Sequence, residues 1–133
     1  VISPIVSDDC GIASLVNDFN GTNNASGIYS VGTTTVIWTV TDNSGNISTC
    51  PQDITVTDDE NPNAVCQNIS VGLDINGDAS IIPADVDGGS FDNCMLDNAA
   101  FTVSPNTFTS ADLGTNNVTL TVFDLAGNPA TCD

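Results

Sequence analysis

The chain contains no lysine, arginine or histidine, against 17 aspartate and glutamate residues in 133. Without a cationic side chain there is no clamp for phosphate and no electrostatic footprint for DNA or RNA. Docking on an anionic membrane surface fails for the same reason, unless a divalent metal bridges the two. The missing histidines remove the usual general base, and the missing lysines remove a Schiff-base nucleophile. Carboxylate chemistry would need two acids facing one cleft, yet the chain holds a single glutamate, Glu60, and its aspartates fall mostly in short turn-like clusters. A non-enzyme is expected. No run of about 18 apolar residues is present, so no membrane-inserted helix is expected. Val1–Cys10 has neither the basic start nor the long apolar stretch of a signal peptide, and Val1 reads as the start of a mature or trimmed fragment. No Cys-x-x-Cys occurs and no histidine can join a cysteine, which argues against structural zinc. Helical periodicity over three turns is also lacking.

What the chain does have is 40% hydrophobic residues, rich in β-branched types, and five cysteines. That cysteine density points to an oxidising, extracellular or cell-surface compartment. The odd count leaves at least one thiol free or paired outside the chain.

An internal repeat sets the expected architecture. Residues 35–50, TVIWTVTDNSGNISTC, align without gaps on residues 117–132, NVTLTVFDLAGNPATC, at an offset of 82. Identities include Val36/Val118, Val40/Val122, Asp42/Asp124, Gly45/Gly127, Asn46/Asn128 and Cys50/Cys132. Asp9-Cys10-Gly11-Ile12 answers Asn93-Cys94-Met95-Leu96 at an offset of 84, so the chain holds about one and a half periods. In each block apolar residues alternate (Val36, Trp38, Val40; Val118, Leu120, Val122) as in a half-buried strand. Asp-x-x-Gly-Asn then supplies a tight turn, and each block reads as a β-hairpin. Further strands are expected at Asp53–Thr57, Val65–Leu73, Ala79–Ile82 and Phe101–Ser104. Short strands separated by Gly, Asn and Asp turns predict an all-β fold of two tandem immunoglobulin-like Greek-key β-sandwiches, the first lacking its N-terminal strand or strands. The polar stretch Thr57–Pro62 has a linker composition, which puts the domains at 1–60 and 61–133, the second without its final strand.

These residues resemble the HYR (hyalin repeat) family of immunoglobulin-like extracellular modules. The first copy carries Tyr29–Val36, Thr41–Asn46, Thr49-Cys50 and Val56–Asp58. The second is similar to a variant of secreted tandem arrays from Bacteroidetes-type bacteria, through Cys66–Ile69, Asp85–Ser90, Asp92–Cys94 and Asn106–Thr109. The resemblance implies adhesion and long tandem arrays, with no catalytic residues to carry over. Such variants often place a cysteine where this chain has Ser110, which leaves Cys94 without that partner.

In such a sandwich the first and last strands start at one pole, which favours a Cys66–Cys132 bridge. The competing pattern, Cys10–Cys50 with Cys94–Cys132, stays open. Asp58, Asp59, Glu60, Asp85, Asp87, Asp92, Asp124 and Asn128 would gather at one pole near the linker, where calcium, which takes six to eight oxygens, would be the missing positive charge. The same residues read equally as turn caps and solubilising surface. Five Asn-x-Ser/Thr sequons, at Asn20, Asn24, Asn46, Asn68 and Asn117, are candidate glycosylation sites, with Asn20 and Asn24 in the most loop-like stretch. Trp38 is expected in the core, leaving Phe19 and Tyr29 freer for surface contacts. The function expected is a structural or adhesive repeat module of an extracellular array or filament, partnered by neighbouring copies of itself or adjacent repeats, joined by strand complementation and stiffened by calcium. The alternative is a glycan-binding adhesin or accessory domain of a secreted enzyme.

Overall fold

A computed structural model describes residues 1–133 and shows an all-β chain. It divides into two compact units, Val1–Thr57 and Asp58–Asp133, so the acidic triplet Asp58-Asp59-Glu60 belongs to the second. The first unit holds β1 (Ile12–Asn17), β2 (Gly32–Asp42) and β3 (Ile47–Val56) in one antiparallel sheet of order β1-β2-β3. The second holds β4 (Asp78–Ser80), a one-turn helix α1 (Pro83–Val86), β5 (Thr102–Ser104), β6 (Thr107–Thr109), a 3-10 turn at Ser110–Asp112, β7 (Thr119–Phe123) and β8 (Pro129–Cys132). Its strands form two sheets, β4-β6 and β5-β7-β8.

The repeated blocks are the two hairpins β2–β3 and β7–β8. Their turns use one set of bonds. Asp42 Oδ1 accepts the Asn46 N–H at 2.8 Å and Oδ2 accepts the Asn46 side-chain amide at 2.6 Å. Asp124 and Asn128 repeat both, at 2.8 and 2.7 Å. Gly45 and Gly127 sit at φ 89° and 94°, a conformation that costs glycine nothing and other residues more. Asp53–Thr57, expected as a strand of its own, runs on from the hairpin within β3, through Pro51 paired opposite Ile37. A proline is tolerated there because β3 is an edge strand with one side free of ladder bonds.

In the first unit the alternation buries Val36 and Trp38 completely or nearly so. Their face is covered by the irregular segment after β1, from which Ala25 and Tyr29 pack on the cluster beside Leu15 and Ile54. A loop, not an opposing sheet, closes this core. The loop is held by the buried Asn17, whose side chain donates to Asn20 Oδ1 and to the Thr22 carbonyl and accepts the Asn20 N–H. The Trp38 indole N–H donates to Gln52 Oε1 at 2.9 Å, so its one polar atom is satisfied.

In the second unit Ile81, Val86, Val103, Leu120 and Val122 form the core, with Phe108 of β6 and Phe101 packed against them. Val65–Leu73 does not form the expected strand. Only its first residues are tied, through Gln67 N–H to the Val86 carbonyl and Gly88 N–H to the Val65 carbonyl. Asn68–Leu73 enters no ladder, because no strand runs beside it.

Cys66 and Cys132 form a disulfide with Cα atoms 5.7 Å apart, while Cys10, Cys50 and Cys94 are free and exposed. The alternative pairing is thereby corrected: Cys132 is already used, and Cys50 lies opposite Trp38 in the sheet whereas the Cys10 carbonyl meets Asn43 at the far end of β2. The bridge spans 66 residues and packs against the core. Cross-linking a loop of that length restricts the unfolded chain, a gain of about 2–4 kcal/mol. A Cys66→Ala/Cys132→Ala variant is expected to lose about that much stability in urea unfolding, whereas Cys50→Ser should leave the midpoint unchanged.

Candidate functional site

The carboxylates expected to share a metal have mostly separate tasks. Asp85 Oδ2 accepts the Ile82 N–H at 2.8 Å and caps α1. Asp87 Oδ1 accepts both the Ser90 N–H and the Ser90 hydroxyl, at 2.9 and 2.7 Å. Burial opposes ionisation of Asp87, but these Ser90 bonds and one from Gly89 hold its carboxyl below the ordinary value. Glu60 accepts the Asn93 side-chain amide. Asp59 is exposed.

Asp124 is 2% exposed and has both oxygens engaged by Asn128. Burial again opposes the charged form, and the hydrogen bonds from Asn128, Gly127 and Ala126 prevail. The Asn128 amide also donates to the Asp58 carbonyl at 3.0 Å, which brings Asp58 to the β7–β8 turn. From the other side, the Asp92–Leu96 loop is drawn in by the bridge Leu96–Asp124 and by Leu125 N–H to the Met95 carbonyl. Within that loop Asp92 accepts the Cys94 N–H at 2.7 Å.

The result is a small acidic cluster. One carboxylate oxygen each from Asp58 and Asp92 and the Cys94 sulfur lie within 4.8 Å of one another. Asp58 and Asp92 are thus the two members of the expected eight whose carboxylates converge with a third donor group. Sequence reading missed Cys94, treating it only as a disulfide candidate; its place in Asp92-Asn93-Cys94 was the available signal. Calcium takes six to eight oxygens, and of these the cluster's own side chains supply two carboxylates, beside a thiol, which is a soft ligand. The arrangement acts on the thiol. Hydrogen bonding to Asp58 comes first, then burial, then the negative charges of Asp58, Asp92 and Asp124, and all push the Cys94 thiol pKa up.

A second feature of the same unit is a hollow of about 800 Å³ beside the β4-β6 sheet. Its walls include Ile69, Val71, Ile81, Phe108, Leu113 and Val118.

The sequons are all exposed, yet three are engaged, two of them through the nitrogen that would carry a sugar. The Asn20 side-chain nitrogen donates to the Asn24 and Ser26 carbonyls, and that of Asn46 donates to Asp42, whereas Asn24 uses its oxygen, Oδ1, to accept the Ser26 N–H. Trp38 is buried as expected, whereas Phe19 and Tyr29 stack on each other with centroids 4.4 Å apart.

Two outcomes follow. The alkylation rate of Cys94 should rise only at alkaline pH, and Asp58→Asn/Asp92→Asn should move that profile toward lower pH. A profile unmoved by the double substitution would remove the carboxylates as its cause. In glycopeptide mapping, a sugar in the loop should sit on Asn24, since modification of Asn20 or Asn46 breaks bonds that hold their turns. No family model matches the chain, and neither a curated protein nor a solved structure matches it.

Proposed function

We propose that this chain is a structural or adhesive repeat module of an extracellular array or filament, similar to hyalin-repeat modules. The observation that carries the reading is the hairpin built twice with one turn chemistry, Asp42-Gly45-Asn46 and Asp124-Gly127-Asn128, in two successive compact units. Tandem repetition of a small unit suits a molecule whose work is to extend and to join. The intramolecular disulfide fits an oxidising compartment, and no helix is long and apolar enough to cross a membrane. No catalytic role is proposed.

Glycan binding draws less support. The single tryptophan is core, and Phe19 and Tyr29 spend their faces on each other.

Charge places a condition on self-association. Copies bearing 17 carboxylates and no cationic side chain repel one another, so contact requires screening. The screening length falls from about 30 Å at 0.01 M salt to about 8 Å at 0.15 M. In this reading calcium serves as an efficient screening ion between copies.

Electron microscopy and sedimentation of the chain across ionic strength provide the test. Monomers are expected near 0.01 M salt and long assemblies at physiological salt and above, with millimolar calcium lowering the salt required. Monomers under every condition would overturn the filament reading.

A further inference from the structure

Each hairpin turns one face to its core and the other to water, and the outward face has a composition of its own. In the first unit β2 points Thr33, Thr35, Ile37, Thr39 and Thr41 away from the buried Val36 and Trp38. β3 sets Thr55, Asp53, Pro51, Thr49 and Ile47 opposite them, and β1 adds Val16 and Ser14 beside Thr39 and Thr41. The second unit builds the centre of this face again. There Thr121 stands between Thr102 and Thr131, as Thr39 stands between Val16 and Thr49. Thr121 and Thr131 are the repeat counterparts of Thr39 and Thr49. None of these residues joins either core. Thr33, Thr35, Thr49, Pro51 and Thr55 are exposed, and Ile47 is 68% exposed. The face is also poor in charge. Of the 17 acidic residues of the chain, Asp53 is the one that the three strands of the first unit turn outward. Asp18, just past the end of β1, has an oxygen committed to the Ile37 N–H at 2.8 Å.

We infer that this threonine-rich sheet face is a self-association surface, on which the same face of a second copy packs sheet on sheet. The inference rests on the filament reading and names the surface through which copies meet. Charge selects it. Two copies that each carry 17 carboxylates and no cationic side chain repel least where neither presents a carboxylate, and this face set against itself comes nearest to that condition. Its threonine, isoleucine, valine and proline carbons supply the apolar area, in the manner of two sheets packed about 10 Å apart. Hydroxyls near Asp53 already have partners on the face. Thr33 and Thr55 pair through their Oγ1 atoms at 3.2 Å, and Thr35 Oγ1 donates to Asp53 Oδ1 at 2.6 Å. Covering these groups leaves none of them without a hydrogen bond. Area sets the strength. Ten register pairs at about 3.4 Å per residue, across three strands about 4.8 Å apart, give about 500 Å². A standard stable interface buries about 800 Å² per partner, so a single contact is weak. Because the face recurs in the second unit, one chain can engage two neighbours, and linked contacts add avidity without a new kind of bond.

The test is sedimentation of the whole chain at physiological salt with three variants, each checked by thermal melting for an intact fold. Asp53→Asn removes the charge on the face and keeps an acceptor for Thr35. Asp9→Asn removes a charge from an exposed turn outside the sheet. Thr49→Asp adds a charge to the face at an exposed position. Asp53→Asn should lower the concentration needed for assembly by about threefold or more beyond the effect of Asp9→Asn, since like charges set against each other are costly. Thr49→Asp should raise it on the order of tenfold or more, the cost of burying unpaired charge. Equal effects of the two asparagine variants would show net charge alone at work and overturn the inference, with the filament reading left standing. Assembly indifferent to a folded Thr49→Asp would do the same, and if that variant does not fold the asparagine pair decides. Retention of the chain on an insoluble neutral polysaccharide, lost in Thr49→Asp while assembly is unchanged, would assign the face to a glycan and overturn the second copy as its occupant. An unmodified chain that stays monomeric at every salt would remove the filament reading, and this surface with it.

Discussion

A carboxylate on this chain that leaves bulk water has only N–H and O–H groups to turn to, since no side chain carries a positive charge. The structure is built around that restriction. Asp42, Asp74, Asp112 and Asp124 each accept hydrogen bonds of a following or preceding turn that hold the carboxyl pKa below the ordinary value: Asp42 chiefly from the Asn46 side-chain amide, Asp74 and Asp112 chiefly from backbone amides, and Asp124 against burial. A buried charge costs heavily unless paired or hydrogen-bonded, and Asp124, almost without exposure, is stabilised by its turn alone. In most proteins ion pairs would share this work. Here the turns carry it, and so the turns set the hairpins, and the hairpins set the two cores.

The same restriction ties most of the acidic residues into bonds of their own turns. Asp85, Asp87, Asp124 and Asn128 are consumed by local bonds that close a helical turn, a loop and a hairpin. Only Asp58 and Asp92 converge, and the group they meet is a thiol. From the sequence, a turn aspartate and a ligand aspartate look alike, because the difference is the direction of an oxygen and not the identity of a residue.

The hairpins were legible because period-two alternation and Asp-x-x-Gly-Asn each have one economical solution. Trp38 could be placed in the core for the same reason. Val65–Leu73 was misread as a strand since its pattern is that of one; pairing also needs a neighbour, and none runs beside Asn68–Leu73. The strand β1 was passed over, because Ile12–Asn17 is short and its alternation is broken where the register shifts between Ile12 and Ser14. The closing of the first core by Ala25 and Tyr29 was equally invisible, as an irregular loop has no period to read.

Composition and local pattern by themselves determined the all-β class, the repeated hairpins, and the favoured Cys66–Cys132 bridge once the repeat was likened to a sandwich. These depend on residue type and on spacing along one strand, quantities that the chain carries in one dimension. Tertiary structure alone decided which carboxylates meet and that the Cys94 sulfur lies with two of them. Those are properties of segments distant in sequence, and only the folded backbone fixes the distances between them.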